Sequence, residues 1–166
     1  PVINRSVASL FSRIQAELVD SAISLALLKD HGIAGITGGM KNYFGAIHNP
    51  NKYHDSNCDP YLADLFEIDL IRKKYRLTIL DALRVQYHRG PSYHPQWNEK
   101  TNQLIFGFDP VAVDAVGWKL IENLRAKKGL PALSEERREP TYLQTAENLG
   151  LGLAHFDNIE IIEEEV

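Results

Sequence analysis

The sequence predicts an α/β fold, a mostly parallel sheet of about four strands flanked by helices. Three observations predict it. Short apolar runs alternate with amphipathic helical stretches. The runs at residues 22 to 28 and 77 to 81 are continuously apolar, as in a sheet covered on both faces. The three clearest runs then end at Asp30, Asp81 and Asp109, so parallel strands would set three carboxylates along the edge where open α/β sheets bind ligands.

Taken in order, Val7, Leu10, Phe11, Ile14 and Leu18 recur at helical spacing and predict a helix over residues 6 to 18. The first strand, residues 22 to 28, stops at Lys29, Asp30 and His31. Glycines 32, 35, 38 and 39 predict a loop over residues 32 to 40, and a short helix over 41 to 47 follows. Residues 48 to 60 are polar and turn-rich, hence a loop. A helix over 61 to 74 carries Leu62, Leu65, Phe66 and Leu70. Beyond the strand at 77 to 81, residues 84 to 101 form a long polar segment. Its Tyr87 to Tyr93 stretch reads either as a lid over the acidic edge or as a rigid Gly-Pro turn. A third strand over 103 to 109 leads into a helix over 111 to 128, closed by Gly129 and Pro131. A helix over 140 to 149 and a short strand at Ile159 to Ile162 complete the reading. No linker or repeat is visible, so residues 1–166 read as a single domain.

Composition narrows the function. The chain has 166 residues and a net charge of −4 with no basic block, which leaves no electrostatic footprint for nucleic acid. Cys58 is the only cysteine, so neither an internal disulfide nor an all-cysteine cluster can form within the chain. No apolar stretch is long enough to span a bilayer and no signal-peptide pattern is present. The expected setting is soluble and cytoplasmic, unless an export signal preceded Pro1.

The segment from Leu27 to Lys41 carries the strongest chemical signal. A buried strand delivers Lys29, Asp30 and His31 to its carboxyl end, and Gly38-Gly39 then precedes Lys41. Backbone N–H groups and a lysine in that order suit an anion. A Walker A loop is absent, because Met40 separates Gly39 from Lys41 and Asn42 follows it. Each acid keeps two readings. Asp109 before Pro110 is either a helix cap or a site residue, and Asp114 either extends the acidic edge or favours the helix dipole. His48 and His54 flank a loop with Asp55, Cys58 and Asp59. These are ligand types that a divalent transition metal accepts, although no pair has helical metal-site spacing. His88 and His94 flank the second loop, and His155 reads as surface.

The run Leu28-Lys29-Asp30-His31, followed by Gly35-x-Thr37-Gly38-Gly39-x-Lys41-Asn42-x-x-Gly45, resembles the signature of domain-of-unknown-function family 362. Leu80-Asp81-Ala82, Gly90-Pro91, Asp109-Pro110-Val111-Ala112-Val113-Asp114 and Gly150-Leu151-Gly152 follow in the family's order. The resemblance implies a bacterial or archaeal α/β domain, often linked to iron–sulfur ferredoxin segments or exported by a twin-arginine signal. It also implies a longer N-terminus, making this chain the C-terminal part of a larger domain, with self-association through uncovered apolar edges. More distantly, His31 and Lys41, ten residues apart around Gly-x-Thr-Gly-Gly-x, are similar to the motif of the nickel-pincer lactate racemase family. That similarity implies cofactor attachment at Lys41 and a metal ligand at His54 or His48.

The expectation is therefore an enzyme-like domain that binds a small anionic molecule or cofactor at the sheet's carboxyl edge, with redox or isomerase chemistry. Lys41, Gly38, Gly39, Thr37 and Asp109 form the binding set. His31 is the acid or base, with Asp30 or Asp81 orienting it. The competing expectation is a metal-binding or electron-transfer accessory module, with His48 and His54 as ligands.

Overall fold

The computed structural model describes residues 2–165. Its main sheet has four strands in the order β4-β3-β5-β6, formed by Gly35–Thr37, Ala22–His31, Tyr75–Gln86 and Asn98–Gly107. Only β3 and β5 run parallel; β4 and β6 pair antiparallel to their neighbours. The fold is thus α/β as expected, but the sheet is mixed and mostly antiparallel. The physical reason lies in the connections. The polar segment over 84 to 101 has strand at both ends, where β5 runs on to Gln86 and β6 begins at Asn98, and residues 87–97 join them. β5 and β6 therefore pair as a hairpin, and a hairpin reverses direction.

The amino-terminal helix expected over 6 to 18 does not form. Val2–Asn4 (β1) and Val7–Ser9 (β2) make a two-stranded ladder, and only a single wide turn covers Ile14–Leu18. Leu10, Ile14 and Leu18 are all more than half exposed, so their helical spacing had no core to face. The helix expected over 61 to 74 is two, Tyr61–Glu67 (α2) and Asp69–Arg72 (α3), separated by the extended backbone of Ile68. Gly39–Asn42 (α1) is a single turn continued by a tight turn over Tyr43–Ala46. The long helix α4, Pro110–Lys127, is present nearly as expected, and Tyr142–Asn148 forms α5. Ile159, Ile161 and Ile162 make no strand; a short turn at Phe156–Asn158 precedes them. No helix among the described residues is long and apolar enough to cross a membrane.

Helices α1 and α4 pack on one face of the sheet, and α2 and α5 pack against them. Val113 and Ile121 of α4 lie over Ala26 and Leu28 of β3 and Leu80 and Ala82 of β5. A second cluster joins Met40, Leu62, Leu65, Val111 and Tyr142 beside it. The opposite face carries Ile23, Leu25, Leu27, Leu104 and Phe106, all about half exposed or more. The continuous apolar run of β3 therefore has one cover, where the sequence predicts two.

Candidate functional site

The carboxyl end of β3 is held by a buried ion network. Asp30, 1 % exposed, accepts from Arg138 at 2.5 Å and lies 3.7 Å from Arg125, which is wholly buried. Glu136 closes the network on both arginines. The second oxygen of Asp30 accepts from Gly90 N–H at 2.8 Å. A Cβ at Gly90 would fall 1.7 Å from the Asp30 carbonyl oxygen, so only glycine fits there. Lys29 Nζ donates to the Pro91 carbonyl, and Gly32 N–H donates to that of Gly90. The segment expected as a lid or a rigid Gly-Pro turn is pinned to the strand end.

Beside this network stand Lys41, His54 and His31. Lys41 Nζ lies 3.0 Å from His54 Nε2, and the His31 and His54 ring centres are 5.7 Å apart. Lys41 also lies 5.2 Å from the centre of the Phe44 ring, within the range where a cation is drawn to an aromatic face. His54 Nδ1 is 3.0 Å from the Pro50 carbonyl oxygen. A carbonyl can only accept, so Nδ1 carries the proton and Nε2 turns its lone pair to the lysine. The opposite assignment holds for His31. Its Nδ1 accepts from the backbone N–H groups of Ile33 (3.2 Å) and Ala34 (3.1 Å). The proton of the neutral ring therefore sits on Nε2.

Electrostatics make this corner cationic and poorly hydrated. Burial, reinforced by Lys41, His54, Lys29 and Arg138, pushes the His31 imidazole down to about 3. Burial and Lys41 also lower His54. Burial lowers the Lys41 amine, assisted by Lys29 and partly offset by Cys58. Burial pushes the Cys58 thiol up to about 11, so it offers no thiolate at neutral pH.

The expected site residues divide. His31, Lys41 and His54 come together. Asp30 is adjacent in sequence, but its carboxylate is spent on Arg138 and Gly90 rather than on the imidazole. Asp81 lies mid-strand, opposite Leu27 and Leu104, and accepts from Leu83 N–H. The reversed β6 carries Asp109 away from β3's carboxyl end. There it caps α4 through Val111 and Ala112 N–H, and its other oxygen accepts from Leu153 N–H. A shared edge of three aspartates needs parallel strands and does not form. His48 is exposed, its backbone tied to Ser9 and Leu10. Among the described residues, no group of three or more His, Cys, Asp or Glu is set to hold a metal ion. Thr37 lies on β4, with a buried hydroxyl that has no hydrogen-bond partner.

Gly38 and Gly39 face inward. The N–H groups of Gly39 (2.6 Å) and Met40 (3.1 Å) donate to the Asp114 carboxylate. A Cβ on Gly38 would fall 2.5 Å from Asp114 Cγ, and one on Gly39 would fall 2.4 Å from Thr78 Cγ2. The protein's own acid fills the backbone nest that the sequence suggests for an external anion. Arg125 and Arg138 are neighbours of this corner that the sequence does not point to, whereas Asp114, expected to extend the acidic edge or favour the helix dipole, instead holds the first turn of α1. For Asp114 a signal exists: it is an acid between Val113 and Ala115, on the buried side of an apolar helix.

The segments gathered here, from the Lys29-Asp30-His31 end through Gly-Gly-x-Lys to the Asp-Pro cap of α4, are the ones that carried the family resemblance. A family model described as Domain of unknown function (DUF362) matches residues 7–119, about two thirds of the chain. The chain belongs to this family. No curated protein and no solved structure matches it. In this DUF362 chain the matched region includes β3, α1 and Asp114, whereas Arg125, Arg138 and α5 lie beyond it.

Proposed function

We propose that this DUF362 domain binds a small anionic molecule, a carboxylate or a phosphate, at the carboxyl end of β3, and that Lys41 and His31 are its contacts. The observation that carries the reading is the 3.0 Å pairing of a half-buried lysine with a neutral histidine, in a corner where the Asp30 carboxylate is already neutralised by arginine. With Arg125 and Arg138 matched by Asp30 and Glu136, Lys41 and Lys29 leave uncompensated positive potential there, and focused potential of one sign is what recruits an ion.

The division of labour follows from the tautomers. Lys41 is held by the lone pair of His54 and has N–H bonds left to donate. His31 donates from Nε2. Burial and the neighbouring cations lower its basicity, backbone amides rather than a carboxylate orient it, and it serves as a neutral hydrogen-bond donor. Such an imidazole polarises a bound carbonyl or carboxylate instead of taking its proton. An enzyme of redox or isomerase type is compatible with these roles. Lys41, its ammonium desolvated, is also the one amine here suited to covalent attachment of a carbonyl group. A protein-held transition metal fits less well. His54 is prepared as a ligand by its Nδ1–H bond, but a metal would have to bring its other ligands with it.

The test is calorimetric titration with inorganic phosphate and with acetate. We expect binding that Lys41→Met weakens at least tenfold, about 1.4 kcal/mol, with the fold unchanged by circular dichroism. Equal affinity in wild type and Lys41→Met would remove Lys41 from the site.

A further inference from the structure

Lys41 stands on a single helical turn of four residues, and one turn has almost no stability of its own. Something must hold it. Three contacts do so from the covered side of the sheet. The Asp114 carboxylate receives the N–H groups of Gly39 and Met40, the two residues before Lys41. Ser24 Oγ donates to the Gly39 carbonyl at 2.9 Å, and Asn42 Nδ2 donates to Ser24 Oγ. Of these anchors, Asp114 is the charged one. It is 0 % exposed and takes part in none of the protein's ion pairs among the described residues. Tyr142 of α5 is fully buried, and its hydroxyl has no partner. Tyr75 of β5 donates to Thr78 Oγ1. Burial, reinforced by the negative charge of Asp114, disfavours both hydroxyls as phenolates.

A buried acid with no cation costs stability, and Asp114 responds: burial raises it to about 7, against the pull of the two N–H bonds. The neutral acid has one carbonyl oxygen to accept with and a hydroxyl that cannot accept equally well. The ionised form accepts at both oxygens, and charge-assisted bonds are the stronger.

Resting on the anion-binding reading above, we propose that Asp114 is a positioning residue for Lys41: its carboxylate grips the first turn of α1 and so sets the lysine against His54. The Gly38-Gly39 pair serves this grip. A side chain at either position would collide with Asp114 or Thr78, so the glycines admit the carboxylate and not a ligand.

The test compares wild type, Asp114→Asn and Lys41→Met, with the 15N shift of His54 Nε2 and phosphate affinity as readouts at pH 8. Asparagine keeps the size and one acceptor but sets an NH2 group against Met40 N–H. The expected result is a His54 Nε2 shift in Asp114→Asn moved toward that of Lys41→Met, and phosphate affinity down by about tenfold. The double variant should bind no more weakly than Lys41→Met alone, because both changes act on one interaction. A lowered melting temperature with an unmoved His54 signal and unchanged affinity would make Asp114 merely structural and overturn the proposal. If phosphate binds no variant while the His54 signal still moves, the positioning role stands and the anion reading falls.

Discussion

One face of the sheet is built like a protein interior, and the other like the surface of a layer waiting for its neighbour. On the covered face Leu28 and Leu80 are wholly buried beneath α4, and Gly117 of that helix brings its backbone close enough that a Cβ would fall 2.7 Å from Leu80 Cδ2. On the bare face Leu25 is 68 % exposed and Phe106 71 %, although these residues are as apolar as their counterparts. The difference teaches that an apolar strand records what it is suited to pack against, while the order of connections decides what covers it. Every functional anchor sits with the covered face: Asp30, Asp114 and the turn that carries Lys41. Positioning a half-buried lysine needs a rigid frame, and only that side provides one.

Charges sharpen the comparison most. Arg125 on the covered side is wholly buried, bonds to the carbonyls of Tyr87 and Pro131, and faces Asp30 and Glu136. Arg125→Ala would leave Asp30 short of a partner in a buried setting, at a cost of about 3–5 kcal/mol. Arg84, exposed beside Asp81 on the bare face, should cost under ~0.5 kcal/mol as Arg84→Ala. Urea unfolding of the two variants measures the gap. Equal losses would mean that the network around Asp30 is not the frame of the site.

The apolar pair comes next. Leu28→Ala should cost about 2–5 kcal/mol by transfer and cavity terms. Leu25→Ala, three residues earlier on the same strand, should cost under ~0.5 kcal/mol. A large loss from Leu25→Ala, growing with protein concentration, would show the bare face to be covered in solution and break the comparison.

Much of the frame is legible in the sequence, and the failures have common physical causes. Helix α4 is readable because its signals agree: Asp109 caps it, Pro110 starts it, apolar residues line one side, and Gly129 with φ of 68° ends it. Residues 6 to 18 mislead because periodic spacing says nothing about whether a core is present to receive it. The direction of β6 is not written locally, since an extended segment looks alike in either orientation, and with it went the shared edge of three aspartates. His31 and Lys41 are legible as chemistry, by type and by place at a strand end. Their partners are not, because His54, Asp114, Arg125 and Arg138 arrive from elements whose packing only the three-dimensional fold defines.

The smallest effect to seek is a difference between two pH profiles. His31 is held near 3 in the folded protein against about 6.5 for an unperturbed histidine. The unfolded chain therefore binds the proton more readily between those values, and stability contributed by the neutral ring is present above about 6.5 and lost as pH falls toward 3. Asp114 works in the opposite sense. Held near 7 rather than near 3.8, it favours the folded state at the acid end of that window and loses this contribution as pH rises through 7. The wild-type profile sums the two and can look flat while both are active. Replacing one group at a time separates them. His31→Gln, whose side-chain oxygen can still accept from the backbone, should be less sensitive to acid than wild type between pH 6.5 and 4. Asp114→Asn should be more sensitive over the same range. If both variants follow the wild-type profile, neither group is held in its neutral form by the covered side, and the contrast between the two faces ends at packing.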